Sequence, residues 1–297
     1  MSSPLVSVII PTYKGRGGLR RAVDSVLAQT YKNIEIIVVD DNSDGDTWRK
    51  ETEAIMENYI GARVKYLKHK ENKNGAAARN TGIKESTGDY VAFLDDDDYF
   101  LPDKILSQVD FLNNHGEYGA VYCQGIRNGR VIAKNLKQGN LSKDILLLQS
   151  HMYTPSLMFR RHIINELEGF DENFKRHQDY EILLRFFSLG YKIGAVQDAL
   201  FVIGGNMGEN ILYGEKYEAL KAYFFDKFDK YIHDFNEDTP GFISKVYVRH
   251  YTGVFISYIK YKDIKNAWRI YNKYLWNSPL IFSRTILKRV YSYFIKN

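Results

Sequence analysis

The sequence contains one cysteine, Cys123, and no run of about 20 consecutive apolar residues, the length that a membrane span requires. A single cysteine excludes a disulfide framework and any zinc site built on cysteine pairs, and it fits a reducing compartment. The N-terminus passes from Met1 into an apolar strand pattern without a basic segment, so we predict no signal peptide. These absences predict a globular protein with neither a spanning helix nor a secretion signal.

Sequence signatures of two large enzyme classes are also missing. There is no phosphate-binding loop of the GxxxxGK type, and residues 15–18 do not match the dinucleotide-binding fingerprint. The seven histidines show no metal-ligand spacing. The sequence therefore argues against a dehydrogenase and against an NTPase.

Charge and aromatic residues are present but unevenly distributed. The 297 residues carry a formal net charge of +5, with 44% hydrophobic and 26% charged residues, a composition typical of globular proteins. Residues 215–297 hold 15 Lys and Arg against 8 Asp and Glu, together with 21 of the 43 aromatic residues. We therefore predict a catalytic domain over residues 1–210 and a helical, basic and aromatic region over residues 211–297.

The first hundred residues alternate between strand and helix patterns. Buried strands are predicted at residues 5–10, 34–39, 64–67 and 90–94, with helices at about 19–27, 47–59 and 75–84. This alternation predicts βαβ units and an α/β fold with a mainly parallel sheet flanked by helices. Ligands bind beyond the carboxyl ends of the strands in such sheets, and three of those ends carry polar residues here.

The acidic run Asp95 to Asp98 follows the fourth predicted strand directly. Four adjacent carboxylates repel one another, and burying even one without a partner costs several kcal/mol. A hard cation such as Mg²⁺ or Mn²⁺ relieves that repulsion and binds substrate phosphates as well. A solvated acidic loop is the alternative, but the position at the end of a buried strand favours a metal–diphosphate site.

Three other segments could contribute to a nucleotide site. Asp41 ends the second predicted strand, where its carboxylate could accept the imide N–H of uracil or belong to a helix cap. Residues 74–80 place small side chains at a helix start and supply Arg79 for a phosphate or a base. Asp179 opens a helix pattern over 178–189, and could be an N-terminal cap or a general base.

Four motifs in this order resemble family 2 glycosyltransferases, which are inverting enzymes with the GT-A fold. The motifs are Ser7-Val8-Ile9-Ile10-Pro11-Thr12-Tyr13, Val38-Val39-Asp40-Asp41-Asn42-Ser43, Gly75-Ala76-Ala77-Ala78-Arg79-Asn80-Thr81-Gly82 and Phe93-Leu94-Asp95-Asp96-Asp97-Asp98. The likeness covers residues 5 to about 205 and extends to bacterial members of polysaccharide biosynthesis. It implies a hexosyl- or N-acetylhexosaminyltransferase with a nucleotide-diphosphate-sugar donor.

The resemblance also implies roles for individual residues. The donor-binding residues would be Pro11, Thr12, Tyr13, Asp41, Asn74, Arg79, Asp95 and Asp96. Among them, Asp41 would bind the uracil and Asp96 would contact the donor sugar. Asp97 would bind the metal ion, Mn²⁺ or Mg²⁺, and Asp179 would be the catalytic base. Gln178 departs from the family, in which glutamate is commoner there, and residues 201–210 lack the histidine that many relatives supply as a third metal ligand.

Residues 215–297 have apolar and aromatic residues at helical spacing, with Lys and Arg between them. Such helices suit an anionic membrane interface, but they could equally form a subdomain packed on the catalytic core or on another copy of the chain. Both interpretations stay open up to Asn277, whereas the helix beyond Pro279 favours the membrane. No nucleic-acid motif is present, so a nucleic-acid partner is not expected.

Together these features predict a cytoplasmic enzyme that lies peripherally on the inner face of the cell membrane. It would transfer a sugar from a UDP-sugar to a hydroxyl of a lipid-linked or cell-surface polysaccharide acceptor. Two alternatives remain: a soluble transferase that acts on a protein or a small molecule, and a non-catalytic protein that binds nucleotide sugars or serves as a scaffold.

Overall fold

The computed structural model describes residues 3–296 except residues 16, 60, 62, 134, 151 and 205–211, and it describes side chains only up to residue 288. The chain divides into two units. The first comprises Met1–Leu141 and His151–Asn206, and the second comprises Ser142–Ser150 and Met207–Asn297. The predicted boundary between residues 210 and 211 lies outside the described residues.

The first unit is built on a nine-stranded sheet, counted over the described residues. Its strands are β1 (Val6–Thr12), β2 (Ile34–Asp40), β3 (Val64–Lys68), β4 (Tyr90–Phe93), β5 (Tyr99–Phe100), β6 (Ala120–Arg127), β7 (Arg130–Val131), β8 (Leu157–Arg160) and β9 (Ile193–Ile203). Their order is β3-β2-β1-β4-β8-β6-β9-β5, with β7 beside β6. Strands β3, β2, β1 and β4 are parallel neighbours, whereas β8 is antiparallel to both β4 and β6. The α/β class is confirmed, and beyond β4 the sheet is mixed.

Helices flank this sheet and make up the described secondary structure of the second unit. In chain order they are α1 (Leu19–Leu27), α2 (Thr47–Met56), α3 (Gly75–Glu85), α4 (Lys104–Asn114), α5 (Ser142–Leu146), α6 (Arg161–Glu166), α7 (Gln178–Ser188), α8 (Gly214–Asp238), α9 (Phe242–Lys260), α10 (Ile264–Ile270) and α11 (Pro279–Lys296). Helix α5 belongs to the second unit, and the other helices up to α7 belong to the first.

Burial explains why the central strands form where the sequence predicts them. Every residue of β2 is buried, and so is every residue of β4, because helices cover both faces of a parallel sheet. Helix α3 lies especially close to β1, since a Cβ added at Gly82 would be 2.4 Å from Cγ2 of Ile9. The absence of a side chain at Gly82 therefore allows α3 to pack directly against β1.

Aromatic side chains form the core of the second unit. The rings of Phe225 on α8 and Tyr247 on α9 stack with their centroids 4.1 Å apart, and Tyr251 stacks on Tyr274 at 3.6 Å. The buried His250 imidazole Nε2 lies 2.9 Å from the carbonyl oxygen of Leu146, so α5 is tied to α9. The predicted C-terminal helical region is confirmed. None of the described helices is both long enough and apolar enough to cross a bilayer.

Candidate active site

The polar ends of three parallel strands meet at one edge of the sheet. The Thr12 hydroxyl at the end of β1 donates to Oδ2 of Asp96, which follows β4, over 2.7 Å. The backbone N–H of Asp41, after β2, donates to the Thr12 carbonyl oxygen over 2.9 Å. Strand ends from distant parts of the sequence are therefore joined by hydrogen bonds, as expected for parallel neighbours.

The carboxylates of the acidic run alternate between two environments. Asp96 and Asp98 are buried, whereas Asp95 and Asp97 are partly exposed. Asp98 accepts the Gly204 N–H over 2.9 Å. Burial, together with the negative charges of Asp95 and Asp97, raises the pKa of Asp98 to about 8. Asp95 and Asp97 are thus the two acids of the run that remain accessible to a ligand.

These acids suit a cation without forming a complete protein cage for one. The mutual repulsion that raises the pKa of Asp98 is what a bound divalent ion would relieve. Within the described part of the chain, however, no three His, Cys, Asp or Glu side chains are grouped to hold a metal ion. Residues 201–204 contain no histidine, and 205–210 lie outside the described residues. The donor set therefore fits an ion that diphosphate oxygens and water also coordinate.

The Asp41 carboxylate is buried and accepts four hydrogen bonds from the protein. Oδ1 lies 2.7 Å from Nδ1 of His69 and accepts the Lys73 N–H over 2.9 Å. Oδ2 accepts the Asn74 N–H over 2.8 Å and the Asn72 side-chain amide over 2.9 Å. Since an ionised carboxylate has about four lone-pair sites, these donors fill it. The helix-cap alternative applies to another residue, because Asp46 caps α2 through the Trp48 N–H.

Asn74 fixes the start of α3. Its φ is 101°, and its side-chain oxygen accepts the N–H groups of Ala76 and Ala77 over 2.9 and 3.3 Å. Its side-chain amide donates to the Glu172 carbonyl oxygen over 3.0 Å. The predicted donor-binding Asn74 is therefore an N-terminal cap residue that also anchors the segment before α7.

Arg79, buried on α3, connects the acidic run to the start of α7. One guanidinium nitrogen donates to Oδ1 of Asp95, and another donates to Oε1 of Gln178 over 2.7 Å. The guanidinium also lies over the Phe170 ring, 5.6 Å from its centroid. Gln178 in turn donates to the Phe174 carbonyl oxygen over 2.7 Å. Arg79 is thereby held in one position by groups on three segments.

Asp179 lies in the first turn of α7, beside this arrangement. The N-cap position is His177, which has a φ of 60° and no capping side-chain bond, so Asp179 is not the cap residue. Its Oδ1 accepts the Tyr180 N–H over 3.0 Å. Burial, assisted by the negative charge of Asp95, raises the pKa of Asp179 to about 6, while the Tyr180 N–H and the Arg79 cation act in the opposite direction. A carboxylate with this pKa is largely ionised at pH 7 and more basic than an ordinary aspartate.

The predicted nucleoside residues beside β1 differ in exposure. Pro11 is partly exposed within β1, Thr12 is buried, and the Tyr13 side chain is 37% exposed. The Lys14 ammonium lies over the Tyr13 ring, 5.2 Å from its centroid. Tyr13 therefore presents an accessible aromatic surface at the carboxyl end of β1.

Three residues of the site, His69, Asn72 and Gln178, are not among those that the sequence motifs predict. His69 follows β3 directly, with Nδ1 toward Asp41 and Nε2 2.9 Å from the Thr81 hydroxyl. Its position could have indicated a site residue, because His69, like Asp41, directly follows a parallel strand. Gln178 departs from the family pattern, but its contact with Arg79 spans 99 positions and has no sequence signature.

The family model described as glycosyl transferase family 2 matches residues 7–182, more than half of the chain. The chain belongs to glycosyltransferase family 2. All the site residues above fall within the matched range. Residues 7–182 are thus a family 2 glycosyltransferase domain, as the order of the motifs predicts.

Named relatives agree with this assignment. The uncharacterised glycosyltransferase RT0329 of Rickettsia typhi is 33% identical over 276 residues, which cover 84% of the chain and 83% of the relative. The UDP-Glc:alpha-D-GlcNAc-diphosphoundecaprenol beta-1,3-glucosyltransferase WfaP of Escherichia coli is 43% identical over 108 residues, 36% of the chain and 41% of WfaP. In four of five Rickettsia relatives, the chain covers less than two thirds of the relative's length.

A solved structure shares the fold of this family 2 glycosyltransferase. TarS 1-349 of S. aureus, in complex with UDP-GlcNAc, superposes with a TM-score of 0.62 over 91% of each chain, at 20% identity. The likeness at this identity concerns the fold, and it confirms the predicted GT-A architecture.

Proposed function

We propose that this glycosyltransferase is a metal-dependent inverting enzyme that moves a sugar from a UDP-sugar to a hydroxyl of a lipid-linked or cell-surface polysaccharide acceptor. The observation that carries the proposal is the Arg79 arrangement, which places a basic carboxylate, Asp179, beside the acids that follow β4. The name of WfaP and the UDP-GlcNAc complex of TarS support a UDP-sugar donor, and the name of WfaP supports a lipid-linked acceptor.

Asp179 is the proposed general base. Its carboxylate takes the proton of the acceptor hydroxyl, and the oxygen attacks the anomeric carbon from the side opposite the diphosphate. That geometry inverts the anomeric configuration. Because its pKa is raised to about 6, Asp179 is ionised at pH 7 yet close enough to neutrality to accept a proton effectively.

Asp97 is the proposed metal ligand, with Asp95 beside it on the accessible side of the acidic run. A bound Mn²⁺ or Mg²⁺ would supply positive charge at the diphosphate, which gains negative charge as it leaves. Arg79 adds a cation next to Asp95 and near Asp179. Its hydrogen bond also fixes the orientation of the Asp95 carboxylate.

The nucleoside would bind at the ends of β1 and β2, against Pro11, Thr12 and the exposed Tyr13 ring. A uracil imide N–H needs an acceptor, and the Asp41 carboxylate is already filled. We propose that the imide replaces the exposed Asn72 amide on Oδ2, since that donor can turn to water at little cost. The predicted contact between Asp96 and the sugar stays a prediction. In the structure, Oδ2 of Asp96 accepts a hydrogen bond from the Thr12 hydroxyl.

The test is a screen of UDP-sugars for UDP release with Mn²⁺, with Mg²⁺ and with a chelator. We expect one or a few UDP-sugars to give metal-dependent release, and Asp179→Asn to lower release by roughly 10³-fold or more while UDP affinity in calorimetry stays within about twofold. Asp171→Asn, a change to another carboxylate ahead of α7, is the control and should retain activity. Absence of release from every UDP-sugar, with UDP still bound, would support a non-catalytic binding protein instead.

Acceptor class and location are part of the same proposal. We infer a cytoplasmic enzyme held at the inner face of the membrane, where a lipid-linked acceptor is available. Transfer onto a diphospholipid-linked sugar, and none onto soluble sugars or proteins, is the expected result. A preference for soluble acceptors would replace this part of the proposal without affecting the chemistry.

A further inference from the structure

Exposed hydrophobic side chains concentrate near the end of the second unit. Among the described residues, the five large hydrophobic side chains with the highest exposed fraction all lie between residues 264 and 287. They are Ile264 (62%), Trp268 (61%), Trp276 (61%), Leu280 (75%) and Leu287 (66%), and we call them the tryptophan face. Single exposed hydrophobics need no explanation, but residues 264–287 hold the most exposed ones among the described residues, as expected of an interaction surface.

Ring contacts show that the two tryptophans flank the same side chain. The Tyr271 ring lies 5.5 Å from Trp268 and 5.9 Å from Trp276, between ring centroids. Phe282 of α11 packs on Tyr271 at 5.5 Å and on Phe255 of α9 at the same distance. Both tryptophans are therefore held on one packed aromatic support while most of their surface remains exposed.

Helix α10 has a buried apolar side in addition to its exposed one. Ala267 and Ile270 of the same helix are buried, whereas Ile264 and Trp268, four positions apart, are exposed. Residues at i and i+4 share one side of a helix, so α10 has one apolar side inside the unit and a second one outside.

Basic residues are interspersed in the sequence with those of the tryptophan face. Residues 259–288 contain seven Lys and Arg and one acid, Asp263. The Asp263 carboxylate accepts the Asn266 N–H over 3.1 Å as a helix cap, and Arg269 pairs with Glu218 over 2.6 Å. The exposed cations that remain in this segment include Lys262, Lys265, Arg284 and Lys288.

We propose that the tryptophan face inserts into the headgroup region of a membrane that contains anionic lipid. Tryptophan rings favour the membrane interface, leucines reach the acyl boundary, and nearby lysines and arginines bind anionic headgroups. A second copy of the chain fits less well, because joining two of these faces would bring like charges together. The proposal deepens the proposed function, since it names the face of the second unit that would meet the membrane carrying the acceptor.

The test measures binding of the full chain to vesicles of phosphatidylcholine alone and mixed with an equal amount of phosphatidylglycerol. We expect binding to the anionic vesicles, weakened by added salt. The double variant Trp268→Ala, Trp276→Ala should bind roughly tenfold more weakly or worse. The control is Val131→Ala with Leu189→Ala, two hydrophobics of the first unit that are 55% and 52% exposed.

Two further measurements keep the proposal open to refutation. Lys265→Glu with Lys288→Glu leaves the apolar residues in place and should also weaken binding. In a Trp48→Phe background, tryptophan emission should shift to shorter wavelength when anionic vesicles are added.

Equal vesicle binding by the tryptophan double variant and its control would overturn the proposal. The proposal would also be overturned if sedimentation analysis shows a dimer for the wild type and the control but a monomer for the tryptophan double variant. That result would assign the tryptophan face to a second copy of the chain. Metal-dependent UDP release without vesicles tests the catalytic proposal separately. If release fails while vesicle binding succeeds, the catalysis is refuted and the membrane face stands.

Discussion

The substitution Gln178→Glu tests whether Arg79 and Asp179 act as one electrostatic unit. Gln178 accepts a hydrogen bond from Arg79 over 2.7 Å, so a glutamate there would share the guanidinium with Asp95. The new negative charge lies next to Asp179 and draws on the cation that lowers the pKa of Asp179. Both effects disfavour the ionised form of Asp179, so its pKa should rise above about 6.

The magnitude follows from Coulomb's law. A unit charge at roughly 7 Å in an effective dielectric constant of about 20 changes the energy by about 2 kcal/mol. Solvent and the Arg79 cation reduce that value, which leaves a shift of about one pKa unit, or about 1.4 kcal/mol. If the rate follows the ionised fraction of Asp179, the variant should be about fivefold slower than the wild type at pH 6 and nearly equal at pH 8.

The assay is the pH dependence of kcat for transfer at saturating donor. Gln178→Met is the matched control, because it removes the hydrogen bonds to Arg79 and to the Phe174 carbonyl oxygen without adding charge. It should cost about 1 kcal/mol of folding stability and leave the pH midpoint in place. An unshifted midpoint in an active Gln178→Glu enzyme would refute the electrostatic link between Arg79 and Asp179.

Two other predictions concern metal binding and packing. Asp97→Ala should lower Mn²⁺-dependent UDP affinity by roughly tenfold or more in calorimetry, because it removes the proposed metal ligand, and unchanged affinity would contradict that role. Gly82→Ala should destabilise the first unit by about 1–3 kcal/mol in thermal unfolding, since the added Cβ would lie 2.4 Å from Cγ2 of Ile9. Ala78→Gly in the same helix is the comparison, and a smaller loss from Gly82→Ala would contradict the close packing.

The sequence predicts the parallel part of the sheet well for a physical reason. Strands β1, β2 and β4 are buried on both faces, so they appear as short apolar runs, and their length and the polar residues that end them favour strands over helices. The polar residues that follow them are then placed at one edge of the sheet by the parallel arrangement alone. Thr12, Asp41 and Asp96 are brought together as expected.

Other parts of the site depend on contacts that have no local pattern. Strand β9 (Ile193–Ile203) pairs with both β6 and β5, and its exposed middle hides it from a search for buried runs. The four donors on Asp41 come largely from the loop after β3, whose path the residue types do not determine. An alternation of buried and exposed carboxylates along the acidic run could be expected from the sequence. The sequence does not predict which of them face inward, because that depends on the contacts with Thr12 and Gly204.

The hydrogen bond between Arg79 and Gln178 joins two parts of the site that leave the ribosome at different times. Arg79 and Gln178 lie 99 positions apart, and the residues proposed to contact the nucleotide, such as Tyr13 and Asp41, lie earlier in the chain than Gln178. A chain leaving the ribosome therefore carries every proposed nucleotide contact well before it carries the proposed base. During synthesis, the half of the site that would hold a donor precedes the half that would use it.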